Sequence, residues 1–446
     1  MKSTAAKRKQ DDIVDEETST RNKKKARPDG DSIDSFQDNC DDDPPADPSS
    51  SSSTLNLHAL LDFSSLKDES AISNRFDEIA RVLIHEHRLV VSNNGVETAF
   101  EIQEMEFYLQ KGVYHEDPFT HGSEEQKVSG RWYFHRAPRK SADATRSSTS
   151  LTGYRGGTRK GLDLTIGGPP PQALSPYFSQ PVKSSGTSDN AKQETRVEGA
   201  DGGLLRGGIL LRSLRGLAKN STTGSSKSNS VSGPSLLVDR ILELSGAPSI
   251  SELVENAWRG DTAALNPPTP SSSRVSYLYF KRVTETASML PKIHKSPRIG
   301  IDLSHPGTTV PASQSPSKKL HPRVRFLPKM YRYFTRPEEL TKGRPQTFYG
   351  FIRATLASHP IYRDRSLSGD KPFREILAAG MGIKDAVVSK YLAEYELGRR
   401  DGLKHLKSCI GPNGKGAADS PTAYLKMMGA LETVLVSSSE NAGTRS

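Results

Sequence analysis

The stretch from Phe100 to Leu109, FEIQEMEFYL, reads as a β-strand, yet it places charge where a strand should be apolar. Alternate residues of a strand share a face. Phe100, Ile102, Glu104, Glu106 and Tyr108 are therefore expected on one side, with Met105, Phe107 and Leu109 on the other. The second face is core. Burying an unpaired carboxylate costs several kcal/mol or forces protonation, so the acids of the first face must meet cations, line a cleft, or sit solvated on an edge strand.

Around this strand the composition is that of a partly folded chain. Hydrophobic residues make up 33% of 446, low for a protein of this size that packs throughout, so much of the length is expected to be linker. The formal net charge of +10 favours polyanionic partners, nucleic acid before acidic membrane surface. No apolar run approaches the ~20 residues of a spanning helix, and the N-terminus lacks a signal peptide's apolar segment, which predicts a soluble intracellular protein with no membrane partner. With only Cys40 and Cys409, a disulfide framework or a cysteine-based metal centre is excluded.

Residues 1–55 are charge-blocked and end in a serine and proline run, a composition that predicts a disordered tail. Two basic clusters within it, Lys7-Arg8-Lys9 and Arg21 to Arg27, are spaced like a bipartite nuclear localisation signal, which predicts an import receptor as partner and the nucleus as destination. A tail touching nucleic acid nonspecifically is the other reading. Residues 56–340 carry mixed helical and strand patterns, broken by low-complexity insertions at 140–150, 169–200, 218–232 and 304–320.

Asn74 to Glu86 spaces Phe76, Ile79, Ala80, Leu83 and Ile84 on one helical face. A hairpin follows, with arms from His87 and from Val96 around Asn93-Asn94-Gly95. Gly130 to Arg136 is an aromatic strand suited to core packing or to base stacking, and Leu162 to Ile166 is a further strand. Before it, Tyr154 to Gly161 is a glycine-and-cation loop in which Arg155, Arg159 and Lys160 are candidate phosphate contacts on DNA. Leu204 to Leu214 is an apolar strand carrying Arg206 and Arg212, which pair with Glu104 or Glu106 or lie at a surface edge. Pro234 opens a helix. Ser249 and Glu252 form a capping-box pattern, and Val275 to Val283, Arg298 to Leu303 and Met330 to Thr335 read as strands. From 341 to 437 the periodicity is helical. Phe373 to Leu392 there matches a helix-turn-helix, a pattern shared by DNA-reading modules and ordinary helical domains.

Taken in order, these motifs resemble the alkyladenine (3-methylpurine) DNA glycosylase family. The resemblance rests on the acidic strand Glu104-Met105-Glu106-Phe107-Tyr108, on His121, on Gly130 to His135, on Ile209 to Leu214 and on Gly233 to Leu236, over about residues 74–340. It implies an α+β fold, a curved and mostly antiparallel sheet flanked by helices, with the C-terminal helical region outside the match. It also implies a monofunctional enzyme that flips a damaged purine from double-stranded DNA and hydrolyses its N-glycosidic bond. Glu106 would be the general base, Arg212 would hold the water or a phosphate, and Tyr108 and His121 would sandwich the base, with Tyr133 a further contact. Neither metal, cofactor nor Schiff-base lysine is implied, in keeping with the lack of a visible ligand cluster, and a monomer is expected. A second reading, a non-catalytic nuclear DNA- or chromatin-binding protein on the same fold, draws on the charge and on residues 122–129, GSEEQKVS, where the family has an Arg/Asn-rich segment.

Overall fold

Why the acidic strand can hold its charges follows from its place in the sheet. The computed structural model describes residues 56–136, 153–168, 204–217, 230–267, 269, 274–283, 290–310, 320–414, 416–418 and 420–443. All belong to one compact unit, Thr54–Ser446. The tail with its basic clusters, the insertions 140–150 and 169–200, and parts of the other two (218–229 and 311–319) lie outside the described residues.

A short helix, α1 (Leu57–Leu60), leads into α2 (Glu69–Glu86), which starts earlier than the apolar pattern suggests because the Asp68 carboxylate accepts the Ala71 N–H at 2.7 Å and caps it. Strands β1 (His87–Asn93) and β2 (Val96–Lys111) form the expected hairpin. Asn94 and Gly95 both take positive φ, 48° and 80°, as a two-residue turn of this hand requires. Then come β3 (His115–Glu116), β4 (Trp132–Phe134), β5 (Leu162–Ile166), β6 (Leu205–Gly216), β7 (Ser230–Ser232) and α3 (Pro234–Leu244), whose proline sits in the first turn. Strand β8 (Ser276–Arg282), β9 (His294–Ser296), helix α4 (Pro322–Phe326) and β10 (Arg332–Phe334) complete this half.

The strands build one sheet in the order β4-β5-β6-β2-β1-β8, with β10 paired to β2 and β9, and every strand pairing is antiparallel. The protein is thus a mixed helix and sheet structure around a large antiparallel sheet. Strand β2 is central: one edge runs along β6, and the other pairs first with β1 and then with β10. Helices α2 and α3 cover one face, where Phe76, Ile79, Leu83, Leu237 and Val238 join the sheet's apolar side chains in a single core.

Three local expectations, two of strands and one of a helix cap, are corrected. Phe100 and Ile102 do not share a face with the acids; they lie in the same core cluster as Met105, Phe107 and Leu109. The cause is a double slip of register between β2 and β6: Gln103 on β2 and Arg212 on β6 are passed over, so Ile102 faces Leu214 while Met105 faces Leu211. Such a bulge shifts the alternation by one residue. Arg298 to Leu303 is irregular rather than a strand, and the strand there, β9, ends at Ser296. The capping box is half formed: Ser249 Oγ accepts the Glu252 N–H at 3.1 Å, but the Glu252 carboxylate accepts from Asn256, and the segment Glu252–Ala257 winds as a π-helix.

Four helices follow, α5 (Arg344–Ser358), α6 (Lys371–Met381), α7 (Asp385–Ser408) and α8 (Pro421–Gly443). Left-handed Gly382 ends α6 before α7 begins, so the two helices and glycine turn of the helix-turn-helix pattern are present, with Phe373, Leu377 and Val388 turned into the helical core. Helices α7 and α8 pack closely where Gly398 meets the Lys426 carbonyl and Gly429 the Tyr395 carbonyl. This second core also takes in Leu303, Leu320, Val324 and Leu327, ahead of the helices in sequence.

Candidate functional site

The register sets a row of side chains across the sheet, on the face away from α2. Asp163 of β5 stands opposite Leu210 of β6, Leu210 opposite Glu106 of β2, and Glu106 opposite Arg332 of β10. Leu210 accordingly is absent from the core cluster that holds its neighbours Ile209 and Leu211.

Glu104 and Glu106 of β2 are buried and paired. Glu104 Oε1 accepts from Arg332 Nε at 2.6 Å and from Arg212 Nε at 3.1 Å, and Glu104 Oε2 accepts the Ser213 hydroxyl at 2.7 Å. Burial acts to raise its pKa, but Arg332, Arg212 and Ser213 together outweigh it and hold the carboxyl below the usual range. Glu106, fully buried, is gripped differently. Its Oε2 accepts the Tyr108 hydroxyl at 2.8 Å and Arg212 Nη1 at 3.3 Å, and its Oε1 accepts the backbone N–H of Ile299 at 2.7 Å. A carboxylate has about four acceptor positions, and Oε1 here uses one of its two, for the Ile299 amide. Burial, then the charge of Glu106, pushes the Tyr108 hydroxyl well above its ordinary value and keeps it a proton donor. Arg212 is held as a cation, because Glu106 and Glu104 outweigh the burial that would lower its pKa.

A third buried carboxylate, Asp117, receives Arg298 through two bonds, 2.6 and 3.1 Å. Arg298 also donates to the Phe107 carbonyl at 3.0 Å and lies 4.5 Å over the Tyr108 ring. The segment from Arg298 to Gly300 thus supplies a guanidinium to fix Tyr108 and an amide to fix Glu106.

Above this array opens a cavity of about 370 Å³, lined by Tyr108, Phe119, His121, His135, Asp163 and Ile299 among others. Of the residues singled out from sequence, Tyr108 and His121 reach the cavity wall. Glu106 and Arg212 do not line it; Glu106 lies one hydrogen bond behind, through Tyr108 and Ile299, and Arg212 one bond further, through Glu106. Tyr133 does not line this cavity; it is buried, with the rings of His121 and His135 packed 6.5 and 5.9 Å from its own. Arg206 pairs with Gln110 rather than with either acid. In the cation loop, Arg155 donates to the Arg136 carbonyl, Lys160 is paired with Asp239, and Arg159 is exposed.

Arg298, Arg332 and Ile299 escape sequence reasoning, since their segments look like ordinary strand. A ligand cluster was not expected either, yet one forms. His121, His135 and Asp163 converge because β4 and β5 are adjacent and the loop after β3 returns to them, placing one ligand atom from each within 4.8 Å of the others. His135 Nε2 is 2.9 Å from Asp163 Oδ1, and Gln126 Nε2 donates to Asp163 Oδ2 at 3.3 Å. Burial, reinforced by His135, lowers the His121 pKa to about 4, so this imidazole is neutral at physiological pH.

No family model matches the chain. A relative is the uncharacterized protein L759 of Acanthamoeba polyphaga mimivirus, 33% identical over 92 residues, which are 21% of this chain and 35% of the viral protein. The match thus spans about a third of that relative's length. Among the described residues no helix is long and apolar enough to cross a membrane.

Proposed function

We propose that this protein is a DNA glycosylase of the alkyladenine type, hydrolysing the N-glycosidic bond of damaged purines flipped from duplex DNA. The observation that carries the proposal is the buried Glu106, oriented by Tyr108, Arg212 and the Ile299 amide directly behind a cavity with aromatic walls. A nucleotide entering that cavity brings its base against Tyr108 and His121. Extruding it costs a few kcal/mol, least for a lesion, so selection begins before chemistry. The free lone pair of Glu106 Oε1 takes a proton from water as it attacks C1′, where oxocarbenium-like positive charge develops, and the base leaves. Arg212 keeps Glu106 oriented through its bond to Oε2. Arg155, Arg159 and Lys160 serve the phosphate backbone, and the protein acts as a nuclear monomer carried in by an import receptor that reads the tail's basic clusters.

The test is single-turnover base release from duplexes containing hypoxanthine, ethenoadenine or 3-methyladenine. Glu106→Gln should slow release roughly 10²–10⁴-fold. Equal release by both proteins removes Glu106 as the general base, and none by either removes the enzyme reading. A second reading, a DNA- or chromatin-binding protein without catalysis, is favoured by the fact that Glu106 is wholly buried and stands behind the wall rather than in it. It requires duplex affinity that falls steeply with salt and no base release by either protein.

A further inference from the structure

Four carboxylates are buried among the described residues, and three have an arginine: Glu104 has Arg332 and Arg212, Glu106 has Arg212, and Asp117 has Arg298. Asp163 is the exception. Its carboxylate is 2% exposed, and the partners it has are His135 and the Gln126 amide. A buried acid without a fixed cation is costly, and here it stands beside two imidazoles at the wall of a cavity.

We propose that His121, His135 and Asp163 form a binding site for a borderline divalent cation of the zinc type, open toward the cavity. The donor set is two imidazoles and one carboxylate, which suits zinc-type ions and leaves a coordination position for water or a substrate atom. With metal–ligand bonds of about 2.0–2.2 Å, neighbouring ligand atoms lie roughly 3–3.5 Å apart. The 2.9 Å from His135 to Asp163 already meets that spacing, and with all three atoms within 4.8 Å a small rotation of His121 closes the set. The surroundings hold the ligands in place. A Cβ at Gly161 would stand 2.6 Å from the His135 ring, and one at Gly208 would stand 2.9 Å from Asp163 Oδ2, so both side chains are seated against bare backbone. Gln126 supports Asp163 from behind, as outer partners of metal ligands do, and its own Oε1 is buried without a partner.

The inference goes beyond the glycosylase reading and is tested without nucleic acid. Chelator-treated full-length protein is titrated with Zn²⁺ by calorimetry, and with Co²⁺ by its visible absorption. One ion per chain is expected, together with a cobalt spectrum of low coordination number and a melting temperature that rises with added zinc. Gln126→Ala should weaken binding roughly 10–100-fold, and His135→Ala and Asp163→Asn more than that. His121 is half-buried, so His121→Gln serves as the variant least able to disturb folding. Failure of the wild type to take up either ion, or uptake unchanged in His121→Gln and His135→Ala, overturns the proposal. Base release measured on zinc-free and zinc-loaded protein then reports separately on the glycosylase.

Discussion

The sheet half and the helical half bury opposite things. Every buried ionisable acid or base of the sheet core, Glu104, Glu106, Asp117, Asp163, Arg212, Arg298 and Arg332 among them, lies before residue 340, while the buried polar residues of α5–α8 are the neutral Gln346, Thr347 and Thr355 among the described residues. The helical core relies on leucine, methionine and tyrosine, and on glycines that let α7 and α8 approach. Buried ion pairs rarely add net stability over a well-packed apolar substitute. Their concentration around this sheet therefore calls for a reason other than stability, and under the proposed function it is the sheet that keeps the chemistry while the helices serve as scaffold. The two halves are joined by polar bonds as well: Thr347 Oγ1 of α5 accepts from Arg332 Nη1 at 2.8 Å, and Arg332 in turn holds Glu104.

This contrast can be broken by substitution. The largest effect on stability is expected for Arg298→Met, which strands Asp117 in the interior and should cost about 3–5 kcal/mol by denaturant unfolding. Arg298→Met combined with Asp117→Leu should recover much of it, because the charge is removed together with its partner. If the double variant is no more stable than the single, the pair is not the source of the cost. In the helical half the corresponding change is steric. Gly398→Ala puts a methyl group against the Lys426 carbonyl and should cost about 1–3 kcal/mol through overpacking. Base release per folded molecule should stay unchanged; a parallel loss of release would end the scaffold description.

The smallest effect is a pH slope. His115 is buried, donates through Nδ1 to the Leu109 carbonyl at 2.7 Å, and receives the Tyr331 hydroxyl at Nε2, 2.9 Å away. Burial lowers its pKa below the ordinary 6.5, against the pull of Asp117 and Glu69. The unfolded chain therefore binds the extra proton first, and the stability His115 contributes is present above pH 6.5 and is lost as the pH falls toward its folded value. The urea midpoint of the wild type should drop over that window, and His115→Gln should flatten the drop. An unaltered slope would assign it to other groups.

Much of this architecture is legible from local pattern. The hairpin turn is written in Asn94-Gly95, the helix before it in the spacing of Phe76 to Ile84, and the limits of β5 in the alternating run Leu162-Asp163-Leu164-Thr165-Ile166. These are features whose cause lies within a few residues. Of the candidate site, Glu106, Tyr108, Arg212 and His121 were visible in sequence as a linked set, and their hydrogen bonds and shared cavity wall join them in space. What sequence hides is whatever depends on distant segments meeting. Ile299 contributes only a backbone amide, which any residue would supply, and Arg298 sits in an apolar stretch that imitates a strand. His135 and Asp163 become neighbours solely through the pairing of β4 with β5.

The double slip at Gln103 and Arg212 has a further consequence, for what this chain can tolerate. It turns the number of residues between Ile102 and Met105 into a constraint stricter than their identity. Removing one would advance the rest of β2 by half a period, carrying Phe107 to the cavity side and Glu106 into the greasy layer beneath α2. Side chains at this point can therefore drift over time, but the count cannot.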